Sequence, residues 1–392
     1  MRILFLSQRV PYPPNRGDKI TTWQLIERMA RKHQVTVACF AHDDQEVADA
    51  KELGRKGFDV IAMPIDMRRR KLAALPGLLG NRSLTEGVFD SNELREAIDN
   101  VIGEHDVAYA YSSSMGAYLV KHEIPWVMHF AELDSDKWKQ YAEKKRFPAS
   151  WVYKREARTL EAYETMLAAR THQNVFCTPL EEAIFQERIP GRPSMVIRNG
   201  VDLSQYQPAP EAAEHGHLVF TGVMDYYPNV DGCQHFVKEV LPRVRSEFPD
   251  ATFSIVGSRP TEAVKRLGST PGVTVTGFVD STADWMRRAQ IAVAPLRVAR
   301  GIQNKVLEAM AMGLPVVGTT CATQGVGAQH SVHYVVADDP REQSAAIRQM
   351  MRDPSIGQKI GAAARKHVEE NYEWDRALDP LDTLLDEMQT SR

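Results

Sequence analysis

A segment in the second half of the chain places a lysine and a glutamate three residues apart in the first turn of an expected helix. In RVARGIQNKVLEAMAMGLPVVGT (297–319), Asn304 is the expected N-cap and Gly313 the expected C′ glycine. Lys305 and Glu308 then share one helix face. The carboxylate can accept two hydrogen bonds from a ribose diol, and the ammonium group can neutralise a diphosphate. The alternative is an exposed ion pair, which stabilises a helix by only about 0.2–0.5 kcal/mol.

A second candidate site follows the first expected strand, in RVPYPPNRGDKIT (9–21). Gly17 permits close backbone approach, and Asp18 can cap the helix that begins there. A helix N-terminus after a glycine can bind an anion, and Arg16 adds positive charge. Because one glycine is much weaker evidence than a GxGxxG motif, an ordinary strand-to-helix turn is an equal alternative.

A third candidate is the acidic segment MHFAELDSDKW (128–138), directly after an expected strand. His129 can hydrogen-bond to a donor sugar or an acceptor, or it can pair with a neighbouring carboxylate as a structural histidine. Glu132, Asp134 and Asp136 are candidates for the acceptor side. The last two resemble a metal-binding DxD pair, but they point to one side only if the piece is extended. We therefore expect no metal ligands here.

These segments lie between regularly alternating short apolar runs and amphipathic stretches. Apolar runs predict strands at 3–6, 35–40, 60–64, 107–111, 126–130, 175–177, 195–197, 218–221, 252–256, 273–276, 291–294, 316–318 and 334–336. Helical spacing predicts helices near 18–31, 44–56, 92–103, 115–122, 151–170, 230–246, 260–268, 282–288, 304–312, 341–351, 355–370 and 375–388, with Ser150 as an N-cap. The stretch 66–90 lacks a clear period. The pattern predicts an α/β fold.

The alternation occurs twice and is interrupted once, by the Pro- and Ala-rich run 199–216. We therefore predict two parallel-sheet, Rossmann-like domains over 1–198 and 217–372, with 199–216 as the linker and 373–392 as a final helical segment. Ligands of such sheets bind at the carboxyl ends of the strands, and a cleft between two such domains is the expected site.

Composition excludes several classes of protein. The 392 residues carry 48 Lys+Arg against 51 Asp+Glu, a net charge of −3, and this balance disfavours a dedicated nucleic-acid binder. The four cysteines form no CxxC pair, which indicates neither a zinc site nor a disulfide framework and suits a reducing compartment. Apolar runs are too short for a membrane helix, and the start is too short for a signal peptide. We expect a cytoplasmic location.

Several motifs, in order, resemble family 4 glycosyltransferases, which are retaining enzymes of the GT-B fold that use nucleotide-activated sugars. They are NGVD (199–202), FTGVMDYYPNVDG (220–232), IVGSRP (255–260), VTGFVD (274–280), LEAMAMGLPVV (307–317) and EWDR (373–376). In detail the chain is similar to the sugar transferases of exosortase/PEP-CTERM exopolysaccharide systems. The resemblance implies that Glu308 binds the donor ribose, that His129 lies near the reacting sugar, and that residues 373–392 pack on the first domain. It also makes Gly222, Asp225, Asn229 and Gly301 donor-binding candidates.

The sequence departs from the family pattern where the donor phosphates would bind. The first of the family's two glutamates falls on Arg300, and the usual phosphate-binding Arg and Lys fall on Val223 and Pro228. Lys305, Arg300 and the Gly17 loop are therefore our candidates for the diphosphate.

Basic and aromatic residues also cluster in the first half. Arg68, Arg69, Arg70 and Lys71 precede an apolar stretch, and Lys144, Lys145, Arg146, Lys154 and Arg155 alternate with Trp138, Tyr141, Phe147, Trp151 and Tyr153. Such a surface suits anionic lipid headgroups or nucleic acid, and solvated faces are the alternative.

The resemblance implies a glycosyltransferase that moves a sugar from a nucleotide diphosphate to a hydroxyl acceptor, either a lipid-linked or a soluble glycan, with retention of configuration. Neither a cofactor nor an obligatory metal is expected, because helix ends and cations stabilise the leaving diphosphate. Two alternatives stay open: a nucleotide-sugar 2-epimerase of the same fold, and a non-catalytic nucleotide-sugar-binding protein. We expect peripheral contact with an anionic membrane and no nucleic-acid partner.

Overall fold

A computed structural model describes residues 1–143, 146–299 and 301–390 of the chain. They form two compact units, Met1–Arg198 with Leu378–Arg392 and Asn199–Ala377. In the described part of the chain, we find no helix with the length and apolar character needed to cross a bilayer.

The first unit contains a seven-stranded parallel sheet. Its strands are β1 (Arg2–Ser7), β2 (Gln34–Ala41), β3 (Asp59–Pro64), β4 (Val107–Tyr111), β5 (Trp126–Phe130), β6 (Gln173–Phe176) and β7 (Ser194–Val196). Their order is β3-β2-β1-β4-β5-β6-β7, and every pairing is parallel. Strands β1, β4 and β5 are almost entirely buried, and parallel strands covered on both faces must be apolar along their length. This is why uninterrupted apolar runs predicted them.

Helices cover both faces of this sheet. They are α1 (Gly17–Ala30), α2 (Asp44–Arg55), α3 (Met67–Ala74), α4 (Leu84–Val88), α5 (Asn92–Val101), α6 (Ser113–Gly116), α7 (Asp134–Glu143), α8 (Ala149–Arg170) and α9 (Pro179–Arg188). The stretch 66–90, which lacks a clear period in sequence, contains α3 and α4. The expected N-cap Ser150 is wrong, since α8 begins at Ala149 and its N-cap is Pro148.

The second unit contains a six-stranded parallel sheet. Its strands are β8 (His217–Thr221), β9 (Thr252–Val256), β10 (Val273–Val275), β11 (Ile291–Ala294), β12 (Val316–Gly318) and β13 (Val335–Val336), in the order β10-β9-β8-β11-β12-β13. Its helices are α10 (Tyr227–His235), α11 (Leu241–Arg245), α12 (Glu262–Lys265), α13 (Thr282–Arg288), α14 (Asn304–Ala311), α15 (Thr320–Thr323), α16 (Pro340–Arg352), α17 (Pro354–Asn371) and α18 (Trp374–Ala377). The predicted α/β class with two Rossmann-like parallel sheets is confirmed.

The chain segments at the unit boundary are packed rather than free. In the second unit, the N–H of Val201 donates to the carbonyl of Tyr372 at 2.7 Å, and Gly200 lies against Trp374. The last helix, α19 (Asp379–Thr390), belongs to the first unit. There Arg28 of α1 pairs with Asp379 at 3.0 Å and with Asp382 at 3.1 Å.

Candidate functional site

The candidate site of the second unit lies where the strand order reverses. Strand β8 has β9 on one side and β11 on the other, so the loops that leave β8 and β11 diverge to opposite faces of the sheet. The carboxyl ends at such a switch point form a crevice in which open α/β sheets bind ligands. Gly222 directly follows β8, and residues 295–303 lead from β11 to α14.

The two helices that begin at this point have no side-chain caps. The N-cap of α10 is Tyr226 and that of α14 is Gln303, and neither side chain caps its helix. The other helices that follow a strand of this sheet are each capped by a side chain, namely α12 by Thr261, α13 by Ser281, α15 by Thr319 and α16 by Asp339. A helix start with no cap leaves backbone N–H groups and the positive end of its dipole available to an anion.

Lys305 joins the two helices at this point. Its Nζ donates to Oδ1 of Asn229, in the first turn of α10, at 3.0 Å, and it lies 5.2 Å from the centre of the Phe220 ring. Asn229 is itself buried and donates to the carbonyl of Val223 at 2.9 Å. Burial lowers the pKa of Lys305 to about 8, although the nearby Glu308 carboxylate acts against this shift. The lysine therefore gains stabilisation when an anion enters the site.

Glu308 lies one turn after Lys305, in the second turn of α14 rather than in the first. Burial raises the pKa of Glu308 to about 7, while Lys305 and a hydrogen bond with Tyr206 act to lower it. Tyr206 is buried, and its hydroxyl also lies 3.1 Å from Oγ1 of Thr282. A carboxylate held this way can accept hydrogen bonds from a diol.

Glycines allow the loops of this site to approach one another. A Cβ at Gly222 would lie 2.7 Å from the side-chain amide of Asn229, and one at Gly257 would overlap with the Gly222 carbonyl. A Cβ at Gly325 would overlap with the carbonyl of Gly301, which itself has φ +61°. Gly313 has φ +67° just after α14, which confirms the expected C′ glycine. The predicted N-cap Asn304 is wrong by one position, because the helix begins at Asn304.

Two cations near the site already have carboxylate partners. Asp225 is exposed and forms an ion pair with Arg259 at 3.3 Å, and Arg297 forms a bidentate pair with Asp231. Arg259 follows β9 and has φ +55°. Arg300, our second candidate for the diphosphate, lies outside the described residues.

In the first unit, the predicted anion loop lies at the corresponding switch point, after β1. Helix α1 begins at Gly17, and its N-cap Arg16 gives no side-chain cap. The predicted cap Asp18 is wrong, because its carboxylate accepts from Nε of Arg16 at 2.5 Å. Lys19 is buried and pairs with Glu46 at 3.2 Å, so it serves the interior of this unit.

His129 lies in the interior of the first unit. Its Nδ1 is 2.7 Å from the Tyr109 hydroxyl, its Nε2 is 3.4 Å from Sγ of Cys177, and none of its surface is exposed. Burial lowers the pKa of His129 to about 3, so the ring is neutral. Because both ring nitrogens face protein groups, this geometry favours the structural alternative over contact with the reacting sugar.

The three acidic candidates of the first unit are paired with cations. Lys137 pairs with Glu132 and, at 2.8 Å, with Asp134, whose other oxygen accepts from Ser113 at 2.9 Å. Asp136 pairs with Arg188. Both aspartates lie in α7, so the extended geometry that a DxD metal site requires is absent from this segment. Throughout the described ranges, no group of three or more His, Cys, Asp and Glu side chains could hold a metal ion.

Tyr206 is the site residue that sequence reasoning missed. It falls in the run 199–216, which the sequence predicts to be a linker because the run is rich in Pro and Ala. A lone tyrosine in such a run is the signal that could have identified it, because aromatic side chains bury large areas and dominate core packing.

Comparison with known proteins relates the second unit to a known family. Residues 215–353 match the family model described as "Glycosyl transferases group 1", and all of them lie in the second unit. The glycogen synthase of Mycobacterium tuberculosis is 25% identical over 240 residues, which cover 58% of this chain and 56% of the synthase. The match therefore spans about half the length of this curated relative.

Two solved structures match nearly the whole chain. Sucrose-phosphate synthase from Thermosynechococcus elongatus aligns with a TM-score of 0.76 at 15% identity, over 100% of both chains. Anabaena Alr3699/HepE, in a complex with UDP and glucose, aligns with a TM-score of 0.71 at 15% identity, over 98% of this chain and 99% of that one. At this identity the likeness shows the fold, and the predicted GT-B class is confirmed.

Proposed function

We propose that this protein is a glycosyltransferase that moves a sugar from a nucleotide diphosphate to a hydroxyl acceptor. The observation that carries the proposal is the convergence of Lys305 and two uncapped helix starts at the switch point of the second sheet. The match of residues 215–353 to a glycosyltransferase family supports it. So does the complex of a structural relative with UDP and glucose.

Charge stabilisation at the leaving group is the chemistry that this arrangement supports. When the bond between the sugar and the diphosphate breaks, negative charge grows on the phosphate oxygens. Lys305, the N–H groups that begin α14 and the positive end of the α10 dipole would stabilise this charge without first reorganising; in the first turn of α10, Pro228 has no N–H and that of Asn229 donates to the Tyr226 carbonyl. Glu308 would hold the ribose and thereby fix the diphosphate relative to Lys305. Mechanistically, we favour front-face attack with retention, as the resemblance to retaining enzymes implies, because the buried carboxylate of this site, Glu308, is assigned to the ribose and no second carboxylate is assigned as a nucleophile.

The finer parts of the proposal concern the acceptor. We propose a lipid-linked glycan, as the resemblance to exopolysaccharide transferases suggests, with a soluble glycan as the alternative. Transfer is expected without a divalent metal, so activity should persist in EDTA. Loss of activity in EDTA that Mn²⁺ restores would contradict this part alone.

The test is a screen of UDP-, GDP-, ADP- and dTDP-sugars with and without glycan acceptors. Binding is measured by calorimetry, and products and their anomeric configuration by NMR. Lys305→Ala should weaken binding of the matching nucleoside diphosphate at least tenfold, whereas the exposed Lys265→Ala, also in the second unit, should not. A sugar epimer formed without acceptor would indicate the epimerase instead. Binding with no product of either kind would leave a non-catalytic binding protein.

A further inference from the structure

Two helices of the first unit carry cations and exposed apolar side chains in the same arrangement. On α3 and its C-cap, Arg68, Lys71, Leu72 and Leu75 recur at i, i+3, i+4 and i+7, so they share one face. All four are exposed, Leu72 by 67% and Leu75 by 48%. The cations thus lie toward the start of α3, and the leucines lie toward its end.

Helix α8 has the reverse order along its exposed face. Trp151, Lys154 and Arg158 are spaced i, i+3 and i+7 and are exposed, with Trp151 at 54%. Phe147, just before the helix, is 81% exposed. The aromatic residues therefore lie at the start of α8, and the cations lie farther along it.

Hydrogen bonds from α8 hold the segment that follows α3. Arg155, one turn after Trp151, is buried and donates to the carbonyls of Gly77 and Gly80, both at 2.5 Å, and of Arg82 at 3.0 Å. The backbone that leaves the end of α3 is thereby fixed onto the first two turns of α8. Leu72 and Leu75, at the end of α3, and Phe147 and Trp151, at the start of α8, are thus carried by two segments that these hydrogen bonds join, and each helix also carries two exposed cations.

The cations of this surface are not neutralised by the protein. Within the ranges that the structure describes, Arg68, Lys71, Lys154 and Arg158 form no ion pair with a carboxylate. Other residues of the basic and aromatic clusters serve the interior: Trp138, Tyr141 and Tyr153 pack against one another, and Arg70 donates to the carbonyl of Asp90. Lys144 and Lys145 lie outside the described residues.

We propose that this surface, formed by Arg68, Lys71, Leu72, Leu75, Phe147, Trp151, Lys154 and Arg158, binds peripherally to an anionic lipid bilayer. Apolar side chains flanked by unpaired cations match the depth profile of a membrane interface, where acyl chains lie below anionic headgroups. Phe147 and Trp151 could stack on a base, but Leu72 and Leu75 could not, and this mixture of apolar side chains favours lipid over nucleic acid. The proposal also states where a lipid-linked acceptor would lie, namely in the bilayer bound at this surface. Only that statement rests on the proposed function.

The test is sedimentation of the purified chain with vesicles of phosphatidylcholine, alone or mixed with phosphatidylglycerol. Binding is expected only to the mixed vesicles, with release at about 1 M salt, where the Debye length falls to about 3 Å. Arg68→Ser with Lys71→Ser should weaken binding by about fivefold per cation. Lys238→Ser with Lys359→Ser, a charge-matched control in the second unit, should leave binding within twofold.

Insertion is tested separately from charge attraction. Brominated phosphatidylglycerol should quench part of the tryptophan fluorescence, and Trp151→Phe should remove that part while sedimentation persists. Leu72→Ser with Phe147→Ser should lower affinity at least tenfold, whereas Leu180→Ser with Val332→Ser, which alters exposed apolar residues elsewhere, should not. Circular dichroism and nucleoside diphosphate binding check that each variant is folded.

The outcomes separate this proposal from the proposed function. The membrane proposal would be overturned if the protein did not sediment with anionic vesicles at low salt. It would also be overturned if the variant with Leu72→Ser and Phe147→Ser kept full vesicle binding. Self-association or nucleic-acid binding through these residues, without vesicle binding, would overturn it as well. Vesicle binding with no sugar transfer would support the surface and contradict the transferase.

Discussion

Lys305 and Glu308 should give nucleoside diphosphate binding a maximum near neutral pH. In the unliganded protein the pKa of Lys305 is lowered to about 8. A bound diphosphate favours the ammonium form, so its pKa should return toward the ordinary value of about 10.4. The complex then holds a proton that the free protein loses as pH rises through about 8. By linkage, affinity should fall about tenfold between pH 7 and pH 9.

Nucleoside diphosphate affinity should also fall below pH 7, on the acidic limb of the profile, and the cause there is loss of a proton on binding. The pKa of Glu308 is raised to about 7, and a ribose diol that donates to its carboxylate favours the ionised form. The free protein therefore holds an extra proton at lower pH, which must be lost on binding. Affinity should fall about fivefold between pH 7 and pH 6, in addition to any contribution from protonation of the ligand.

Calorimetry in buffers of different ionisation enthalpy measures both effects. At pH 8.5, binding should take up about three-quarters of a proton. Lys305→Arg, which stays charged, should flatten the fall in affinity above pH 7 and abolish this uptake. Glu308→Gln should flatten the fall below pH 7 and move the fall above pH 7 to lower pH, because the Glu308 carboxylate raises the pKa of Lys305. If the wild-type protein and Lys305→Arg take up the same number of protons at pH 8.5, the assignment of Lys305 to the diphosphate is refuted.

Three further predictions concern single side chains. Gly325→Ala should destabilise the second unit by about 1–3 kcal/mol in urea unfolding and weaken nucleotide binding, because the new Cβ would overlap with the Gly301 carbonyl. The control Gly54→Ala, in open space on α2, should stabilise the first unit by about 0.5–1 kcal/mol. Tyr206→Phe should move the acidic limb to higher pH, since the hydroxyl lowers the pKa of Glu308; an unchanged limb would contradict that contact. Burial raises the pKa of Glu164 to about 8, so the folded state binds more protons than the unfolded state between about pH 4.5 and 8. The wild type should therefore lose about 3 kcal/mol relative to Glu164→Gln between pH 5.5 and pH 8, and equal pH slopes would be inconsistent with this assignment.

The sheets could be predicted from the sequence because their central strands are buried on both faces. Expected strands such as 107–111 and 126–130 match β4 and β5 residue for residue. The helices of 66–90 could not be predicted in the same way, because α3 is mostly exposed and has one buried residue, Ala74. An exposed helix lacks the apolar period on which such predictions depend.

Residues of the candidate site could be predicted from the sequence only where a local sequence pattern fixes their positions. Lys305 and Glu308 were found because a helix with a C′ glycine fixes their spacing. The contact of Lys305 with Asn229 spans 76 residues, and Tyr206 reaches Glu308 from far along the chain, so no local pattern encodes either contact. The burial of His129 likewise depends on Tyr109, on β4, and on Cys177, which directly follows β6.

The position of α19 has a consequence for the order of folding during synthesis. The first unit needs residues 378–390, whose Leu381, Leu384, Leu385 and Met388 are buried, yet residues 199–377 are translated in between. At about 5–20 residues per second, that interval lasts roughly 10–40 s. During it, the face of α1 that includes Arg28 lacks its carboxylate partners on α19. The first unit therefore cannot be completed before the second has been translated, and the nascent chain carries an uncovered apolar surface until residues 378–390 have been added.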